Sequence, residues 1–180
     1  MGFPVILQII GYQNSGKTTV INTLLESLTK MGIRSGVIKH HGHEASLPFN
    51  DSGKDTERHR NAGAIVTTVS SAGNTILSMG SALSLEKTIE LYKLLDTDCI
   101  LIEGYKEIQY PRVILCRNKE DEFLIEHAVN PVAIISEENV REKYHLPSFL
   151  YQDQNKWMNF LVDHIEKGIS KGKRGNYEIL

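Results

Sequence analysis

The sequence predicts a three-layer α/β fold with a mostly parallel sheet and an added β-hairpin, organised as one domain over residues 1–180. The first observation is an almost continuously apolar run, Val5–Ile10, which is typical of a strand covered on both faces. The second is that a helical pattern and a short strand follow this run, in the order of a βαβ unit. The third is a set of later apolar runs that predict strands at Cys99–Ile102, Val113–Cys116 and Val132–Ile135.

The first forty residues justify the parallel arrangement. Thr18–Met31 predicts a helix because its apolar residues recur at spacings of one, three and four, and Gly32 can end it. Val37–Lys39 predicts a second strand, so a right-handed crossover is expected. The apolar stripe of the helix consists of Val20, Ile21, Leu24, Leu25 and Leu28.

The middle of the chain predicts a long loop, a short helix and the hairpin. Residues 40–54 are mostly polar and contain two glycines and a proline, and long loops in compact domains are often functional. Asp55–Ala62 predicts a short helix. Ala64–Ser70 and Thr75–Met79 predict two strands joined by a turn at residues 71–74. Two longer helices are predicted at Leu83–Leu95 and Gln154–Lys167.

Composition narrows the class of protein. A net charge of −2 gives no electrostatic reason to expect a nucleic-acid partner. No apolar run approaches the roughly 18–20 residues that span a membrane, and the N-terminus has no signal-peptide pattern. Cys99 and Cys116 lie in apolar runs and are expected to be buried free thiols. We therefore expect a cytoplasmic protein that binds neither nucleic acid nor membrane.

A phosphate-binding loop follows the first strand. The stretch Gly11-Tyr-Gln-Asn-Ser-Gly-Lys-Thr18 fits G-x-x-x-x-G-K-[ST], the P-loop, between a predicted strand and a predicted helix. Its glycines allow a tight turn whose N–H groups cradle phosphates, and Lys17 adds a positive charge at the β and γ phosphates. This pattern predicts nucleoside triphosphate binding more firmly than it predicts the base or the reaction. The predicted phosphate-binding residues are Gly11, Gln13, Asn14, Ser15, Gly16, Lys17, Thr18 and Thr19.

An acidic residue is expected to complete a magnesium site with the Thr18 hydroxyl. Glu103 follows the apolar run Cys99–Ile102, at the carboxyl edge of the sheet, where ligands bind in open α/β folds. Asp98 precedes that run and should lie at the opposite edge. Glu103 is therefore the favoured metal ligand, and a surface glutamate before a turn is the alternative.

Two further polar segments follow the second predicted strand. Lys39-His-His-Gly-His43 suggests transition-metal binding through His40, His41 and His43, but a solvated polar loop near the nucleotide is the favoured interpretation. Asp55 is a candidate magnesium ligand, and the candidates for contacting phosphate or an anionic second substrate are Lys39, His40, His43, Arg58 and Arg60. Helix capping by Asp55 and solvated arginines is the alternative interpretation.

A second motif match lies after the predicted strand Val113–Cys116. Asn118-Lys-Glu-Asp121 fits N-K-x-D, in which the aspartate accepts hydrogen bonds from the N1–H and exocyclic amine of guanine. Asn118, Lys119 and Asp121 are therefore candidate guanine-binding residues. The same residues also fit a charged hairpin turn between two strands, and both interpretations remain open.

Four segments together resemble the molybdopterin-guanine dinucleotide biosynthesis protein B family: GYQNSGKTT at 11–19, KHHGHE at 39–44, DSGKDTERHRNAGA at 51–64 and LIEGYK at 101–106. The resemblance covers roughly residues 3–135. It implies a dimeric, GTP-binding P-loop protein that works beside the guanylyltransferase joining GMP to molybdopterin. It also implies that Thr18 and Glu103 lie near Mg²⁺.

The leading hypothesis is a GTP-binding accessory protein with weak GTPase activity in molybdenum cofactor biosynthesis. The alternatives are a non-catalytic nucleotide- or pterin-binding adaptor, a small-molecule kinase and a metal-delivery GTPase. Arg58 or Arg60 could stabilise charge in phosphoryl transfer, but no residue stands out as a catalytic base. This favours slow hydrolysis or none.

Overall fold

The computed structural model describes residues 3–40, 47–49 and 51–174. The chain forms two compact units, one made of residues 1–41 and 89–180 and the other of residues 42–88. A single domain over residues 1–180 stays a prediction.

The described residues form eight strands and six α-helices. The strands are β1 (Val5–Ile10), β2 (Ser35–Lys39), β3 (Val66–Ser70), β4 (Thr75–Met79), β5 (Cys99–Glu103), β6 (Arg112–Cys116), β7 (Pro131–Ser136) and β8 (Ser148–Leu150). The helices are α1 (Lys17–Lys30), α2 (Asp55–Asn61), α3 (Leu85–Leu94), α4 (Phe123–Glu126), α5 (Arg141–Tyr144) and α6 (Gln154–Arg174), and a 3₁₀ turn at Lys119–Glu122 precedes α4.

The first unit contains a six-stranded sheet in the order β2-β5-β1-β6-β7-β8. Every neighbouring pair in this sheet is parallel. The carboxyl ends of β1, β2 and β5 therefore meet at one edge, as the sequence predicts, with Ile9 and Lys39 both in register with Glu103. Asp98 precedes β5 at the opposite edge, where its carboxylate accepts a hydrogen bond from the Arg34 N–H at 2.9 Å.

The sheet is covered on both faces, which confirms the three-layer prediction. On one face, Leu7 and Ile9 of β1 pack in a cluster with side chains of α1 and α6, such as Leu24 and Leu161. On the other face, Ile10 joins a second cluster with the neighbouring strands, α4 and the start of α5. All of these side chains are buried, because consecutive residues of a doubly covered strand face opposite apolar layers.

The buried thiols are as predicted. Cys99 and Cys116 are free and buried, and burial is the main reason that the pKa of Cys99 rises to about 12 and that of Cys116 to about 11. Among the described residues, no helix combines the length and apolarity needed to cross a bilayer.

The second unit contains α2 and the antiparallel hairpin of β3 and β4. The strands pair from Val66 with Met79 to Ser70 with Thr75, and the Ser71 N–H closes the turn on the Asn74 carbonyl at 2.9 Å. The predicted hairpin is confirmed. Five large apolar side chains on or beside it are exposed: Ile65, Val66, Val69, Ile76 and Leu77.

The sequence allows two interpretations of the segment after β6, and the one that makes it a charged hairpin turn between two strands is wrong. Residues 119–122 form the 3₁₀ turn and Phe123–Glu126 continues as α4 instead of a strand. The Asn118 side chain caps the turn by accepting a hydrogen bond from the Asp121 N–H at 3.1 Å. This local bond favours a helical turn over an extended return strand.

Candidate functional site

The P-loop connects β1 to α1 at the carboxyl edge of the sheet. Asn14 and Gly16 have φ angles of 58° and 81°, so the backbone turns through the left-handed region at two positions. A Cβ on Gly11 would lie 2.3 Å from the Ser15 Oγ and 3.1 Å from the Leu115 Cβ, which leaves room only for glycine. The Ser15 hydroxyl is buried in this loop and has no hydrogen-bond partner among the described residues.

Lys17 lies across the loop that precedes it. Its Nζ donates to the Tyr12 carbonyl at 2.6 Å and to the Gly11 carbonyl at 3.2 Å. Burial lowers the pKa of Lys17, Glu103 opposes that shift, and the neighbouring cations Lys106, Lys39 and Arg117 add to it. A group of four positive side chains therefore surrounds the loop and favours an anionic ligand.

Glu103 and Thr18 come together as predicted. The Thr18 hydroxyl lies 3.4 Å from both carboxylate oxygens of Glu103, and the Lys39 Nζ lies 3.1 Å from one of them. Glu103 is only 8% exposed. All three residues line a cavity of about 420 Å³ together with the predicted phosphate-binding residues Gln13, Asn14, Ser15, Gly16, Lys17 and Thr19.

This donor set fits Mg²⁺. A threonine hydroxyl and a carboxylate are the hard oxygen ligands that Mg²⁺ prefers, and the P-loop next to them would supply phosphate oxygens from a bound triphosphate. The third predicted metal ligand, Asp55, belongs to the second unit, where its exposed carboxylate lies 3.4 Å from Arg58.

Gln8 is a site residue that the sequence analysis missed. It is fully buried within β1, and its Nε2 donates to the carbonyls of Gly104 and Tyr105 at 2.6 and 2.5 Å. Gly104 and Tyr105 both have positive φ angles, 87° and 55°, directly after Glu103. Gln8 therefore holds the strained turn that follows the metal-binding candidate, and a lone polar residue in an apolar strand was the signal for it.

Two more residues that the sequence did not predict, Tyr151 and Arg117, contact the backbone of the P-loop. The Tyr151 hydroxyl donates to the Ser15 carbonyl, and its ring lies 3.4 Å from where a Cβ on Gly16 would be. The Arg117 guanidinium donates to the Gln13 carbonyl at 3.0 Å. Arg117 directly follows β6, at the edge where ligand-binding residues are expected, whereas nothing in the sequence marks Tyr151.

Two of the three candidate guanine-binding residues, Asn118 and Asp121, have hydrogen-bond partners within the protein. Asp121 is buried, and both of its carboxylate oxygens accept hydrogen bonds from Arg117. Asn118 caps the 3₁₀ turn, and Lys119 lies exposed at its start.

The arginines of the second unit differ in their contacts. Arg60 makes a two-pronged ion pair with Asp51, at 2.6 and 2.7 Å, and its side chain is only 9% exposed. It also donates to the Thr67 hydroxyl at 3.2 Å and lies over the Phe49 ring. Arg60 thus joins α2 to β3, while Arg58 stays exposed on α2.

The histidine segment is described only in part. The His40 N–H donates to the Glu103 carbonyl at 3.0 Å, and its ring packs against Tyr105 with centroids 4.4 Å apart. His41 and His43 lie outside the described residues. Within the described part of the chain, no group of three or more His, Cys, Asp or Glu side chains is arranged to hold a metal ion.

The parallel sheet and the loop between β1 and α1 define a fold of the P-loop NTPase class. The family model of molybdopterin guanine dinucleotide synthesis protein B matches residues 6–137, more than half of the chain. The chain belongs to this family.

Individual relatives agree with this assignment. The chain is 44% identical over 153 residues to a probable molybdopterin-guanine dinucleotide biosynthesis adapter protein of Bacillus subtilis, covering 84% of this chain and 87% of that protein. It is 32% identical to the molybdopterin-guanine dinucleotide biosynthesis adapter protein of Escherichia coli, covering 71% and 77%. The crystal structure of Bacillus subtilis MobB matches with a TM-score of 0.73 at 38% identity, covering 88% of this chain and 96% of that one.

Proposed function

We propose that this chain is a GTP- and Mg²⁺-binding adapter that assists the attachment of GMP to molybdopterin in molybdenum cofactor biosynthesis. The observation that carries the proposal is the convergence of the P-loop, Thr18 and Glu103 on one cavity. The P-loop backbone and Lys17 would hold the phosphates, and Thr18 and Glu103 would hold the metal ion.

The choice of GTP rests on family membership and not on Asn118–Asp121. The relatives are named as adapter proteins of a guanine dinucleotide pathway, and a guanine nucleotide is the ligand that such a role calls for. We extend that role to this chain, with a molybdenum cofactor guanylyltransferase as its protein partner and molybdopterin as the second ligand. Reduced Cys99 and Cys116 fit a cytoplasmic location.

Weak hydrolysis is the expected activity. Glu103 is the one carboxylate among the residues described as lining the cavity, and it is already paired with Lys39. A residue that must balance a cation and hold Mg²⁺ is poorly placed to activate a water molecule as well. We therefore expect the chain to bind GTP more effectively than it turns it over.

The test is a titration of GTP and ATP, with and without Mg²⁺, into the wild-type chain and two variants. Lys17→Ala should lose triphosphate binding without unfolding, because Lys17 contacts loop carbonyls and not the apolar core. Glu103→Gln should still bind GTP but should lose the tightening that Mg²⁺ gives. Circular dichroism of each variant controls for folding, and GTP turnover is measured with and without the guanylyltransferase.

Each competing hypothesis has its own outcome. Equal affinity for GTP and ATP would favour a small-molecule kinase. Tight GTP binding with no turnover, even beside the transferase, would favour the non-catalytic adaptor. A metal response that survives Glu103→Gln but disappears when His40, His41 and His43 are replaced by alanine would move the metal site to the histidine segment and favour metal delivery.

A further inference from the structure

We propose that Arg117 and Asp121 are positioning residues that brace the P-loop, and that Asp121 acts through Arg117 and not on the guanine base. The inference rests on the proposed triphosphate binding at Gly11–Thr19. It assigns a different role to the segment that fits the N-K-x-D pattern.

The first step is the pairing of the two side chains. Asp121 Oδ2 accepts from Arg117 Nε at 2.9 Å, and Oδ1 accepts from an Arg117 terminal nitrogen at 3.2 Å. Oδ2 also accepts from the Arg117 backbone N–H at 3.0 Å. The Asp121 side chain is only 3% exposed, and all three of these hydrogen bonds come from Arg117.

The second step is the contact with the P-loop. The remaining terminal nitrogen of Arg117 donates to the Gln13 carbonyl at 3.0 Å, across 104 residues of sequence. The planar guanidinium makes three hydrogen bonds at once, two to Asp121 and one to Gln13, whereas a lysine at the same place could not. The Arg117 guanidinium therefore connects the turn after β6 to the middle of the phosphate-binding loop.

The third step is what this contact does to the loop. In a trans peptide the carbonyl and the following N–H point in opposite directions. Holding the Gln13 carbonyl on Arg117 therefore directs the Asn14 N–H the other way. Tyr151 holds the Ser15 carbonyl in the same manner, which sets the direction of the Gly16 N–H. Both backbone donors belong to the loop that would cradle phosphate.

The arrangement argues against base reading by Asp121. A guanine-reading carboxylate must offer its oxygens to the base, but both oxygens of Asp121 are buried against Arg117. Asn118, the first residue of the pattern, uses its side-chain oxygen to cap the turn that holds Asp121. Asn118 and Asp121 thus both have partners within the protein.

The experiment measures the affinity of GTP and of inorganic tripolyphosphate, which has no base, in the presence of Mg²⁺. The variants are Asp121→Asn and Arg117→Lys, each followed by thermal unfolding. Glu122→Gln is the matched control, since Glu122 is a neighbouring carboxylate with its own ion pair to Lys143. Arg34→Gln removes an ion-paired arginine at the far edge of the sheet.

We expect both brace variants to bind GTP and tripolyphosphate about tenfold more weakly, by the same factor for each, because a charged hydrogen bond that orders the loop is lost. The controls should bind like the wild type. Asp121→Asn is the sharper variant, because it keeps the positive charge of Arg117. If Arg117 only attracted phosphate by its charge, Asp121→Asn would bind GTP and tripolyphosphate as well as the wild type or more tightly. If Asp121 positions Arg117 against the loop, Asp121→Asn binds both ligands more weakly.

Three results would overturn the inference. Weaker GTP binding with unchanged tripolyphosphate binding would indicate that Asp121 contacts the guanine base. Unchanged affinity for both ligands in folded variants would show that the loop does not require the contact with Arg117. Failure of the wild-type chain to bind either ligand would overturn the proposed function and this inference with it. Should Asp121→Asn fail to fold, Arg117→Lys, at a half-buried position, decides the question.

Discussion

At the scale of single residues, the partner of a charged side chain determines whether that side chain is available to a ligand. Glu103 and Asp51 are both paired with a cation, but Glu103 faces a cavity while Asp51 is closed off by Arg60. The sequence suggested Arg60 as a contact for an anionic second substrate. In the structure its terminal nitrogens are engaged by Asp51 and Thr67, so a substrate role would require breaking that pair.

The Asp51–Arg60 pair predicts a pH effect on stability. Hydrogen bonds from Arg60 and then from Thr56 lower the pKa of Asp51 from its usual 3.8 to about 2. A carboxylate whose pKa is lower in the folded state stabilises the fold above its unfolded pKa and loses that contribution as pH falls. The wild-type chain should therefore lose stability between roughly pH 5 and pH 2 more steeply than Asp51→Asn.

The measurement is the free energy of unfolding by urea across that range. Asp55→Asn is the control, because Asp55 makes an exposed pair with Arg58, and exposed pairs contribute little. If the free energy of unfolding falls equally steeply with decreasing pH in the wild type and in Asp51→Asn, the Asp51–Arg60 pair does not hold the second unit together.

At the scale of elements, the predicted phosphate-binding loop packs closely against β6 at Gly11. Gly11→Ala places a methyl group 2.3 Å from the Ser15 Oγ and 3.1 Å from the Leu115 Cβ, so the loop has to shift. We expect GTP affinity to fall by more than about tenfold, with a loss of about 1–3 kcal/mol in the free energy of unfolding from overpacking.

Isothermal titration calorimetry and chemical unfolding check this prediction together. Gly73→Ala is the matched control, since a Cβ at that position would meet nothing within 4 Å. Wild-type GTP affinity in Gly11→Ala would mean that the loop adapts to the methyl group and that its observed packing is not required for binding.

At the scale of the whole molecule, the hairpin of the second unit exposes apolar surface that a monomer would leave in water. Val69 and Ile76 pair across β3 and β4 and are 51% and 59% exposed. Contiguous exposed apolar residues of this kind often mark an interface. We therefore predict that two copies of the chain associate through the hairpin.

Val69→Lys should therefore shift the chain toward the monomer, because a charge would have to be buried between the two copies. Light scattering coupled to size-exclusion chromatography measures the mass of each species. Leu94→Lys, on α3 and 81% exposed, is the control and should not change the oligomeric state. A wild-type chain that is already a monomer, or a dimer untouched by Val69→Lys, would contradict the prediction.

Several parts of the fold and site could be predicted from local pattern. An apolar run, a glycine-containing motif and a helical apolar stripe predict the strand, loop and helix at residues 5–30. Each of these signals lies within a short stretch of sequence. The position of Glu103 followed from the rule that parallel strands end at a common edge. Elements of three or four residues, such as β8 and α5, escaped prediction because they are too short to show a period.

What the sequence by itself determined is the order of the longer strands and helices, the predicted phosphate-binding loop and the edge at which Thr18 meets Glu103. The tertiary structure alone decided which side chains hold that loop and its neighbours in place. Arg117 reaches Gln13 and Tyr151 reaches Ser15 across more than 100 residues of sequence, and Gln8 reaches Gly104 across 96. The physical reason is that a hydrogen bond depends on distance and direction in space, which only the packed sheet brings together.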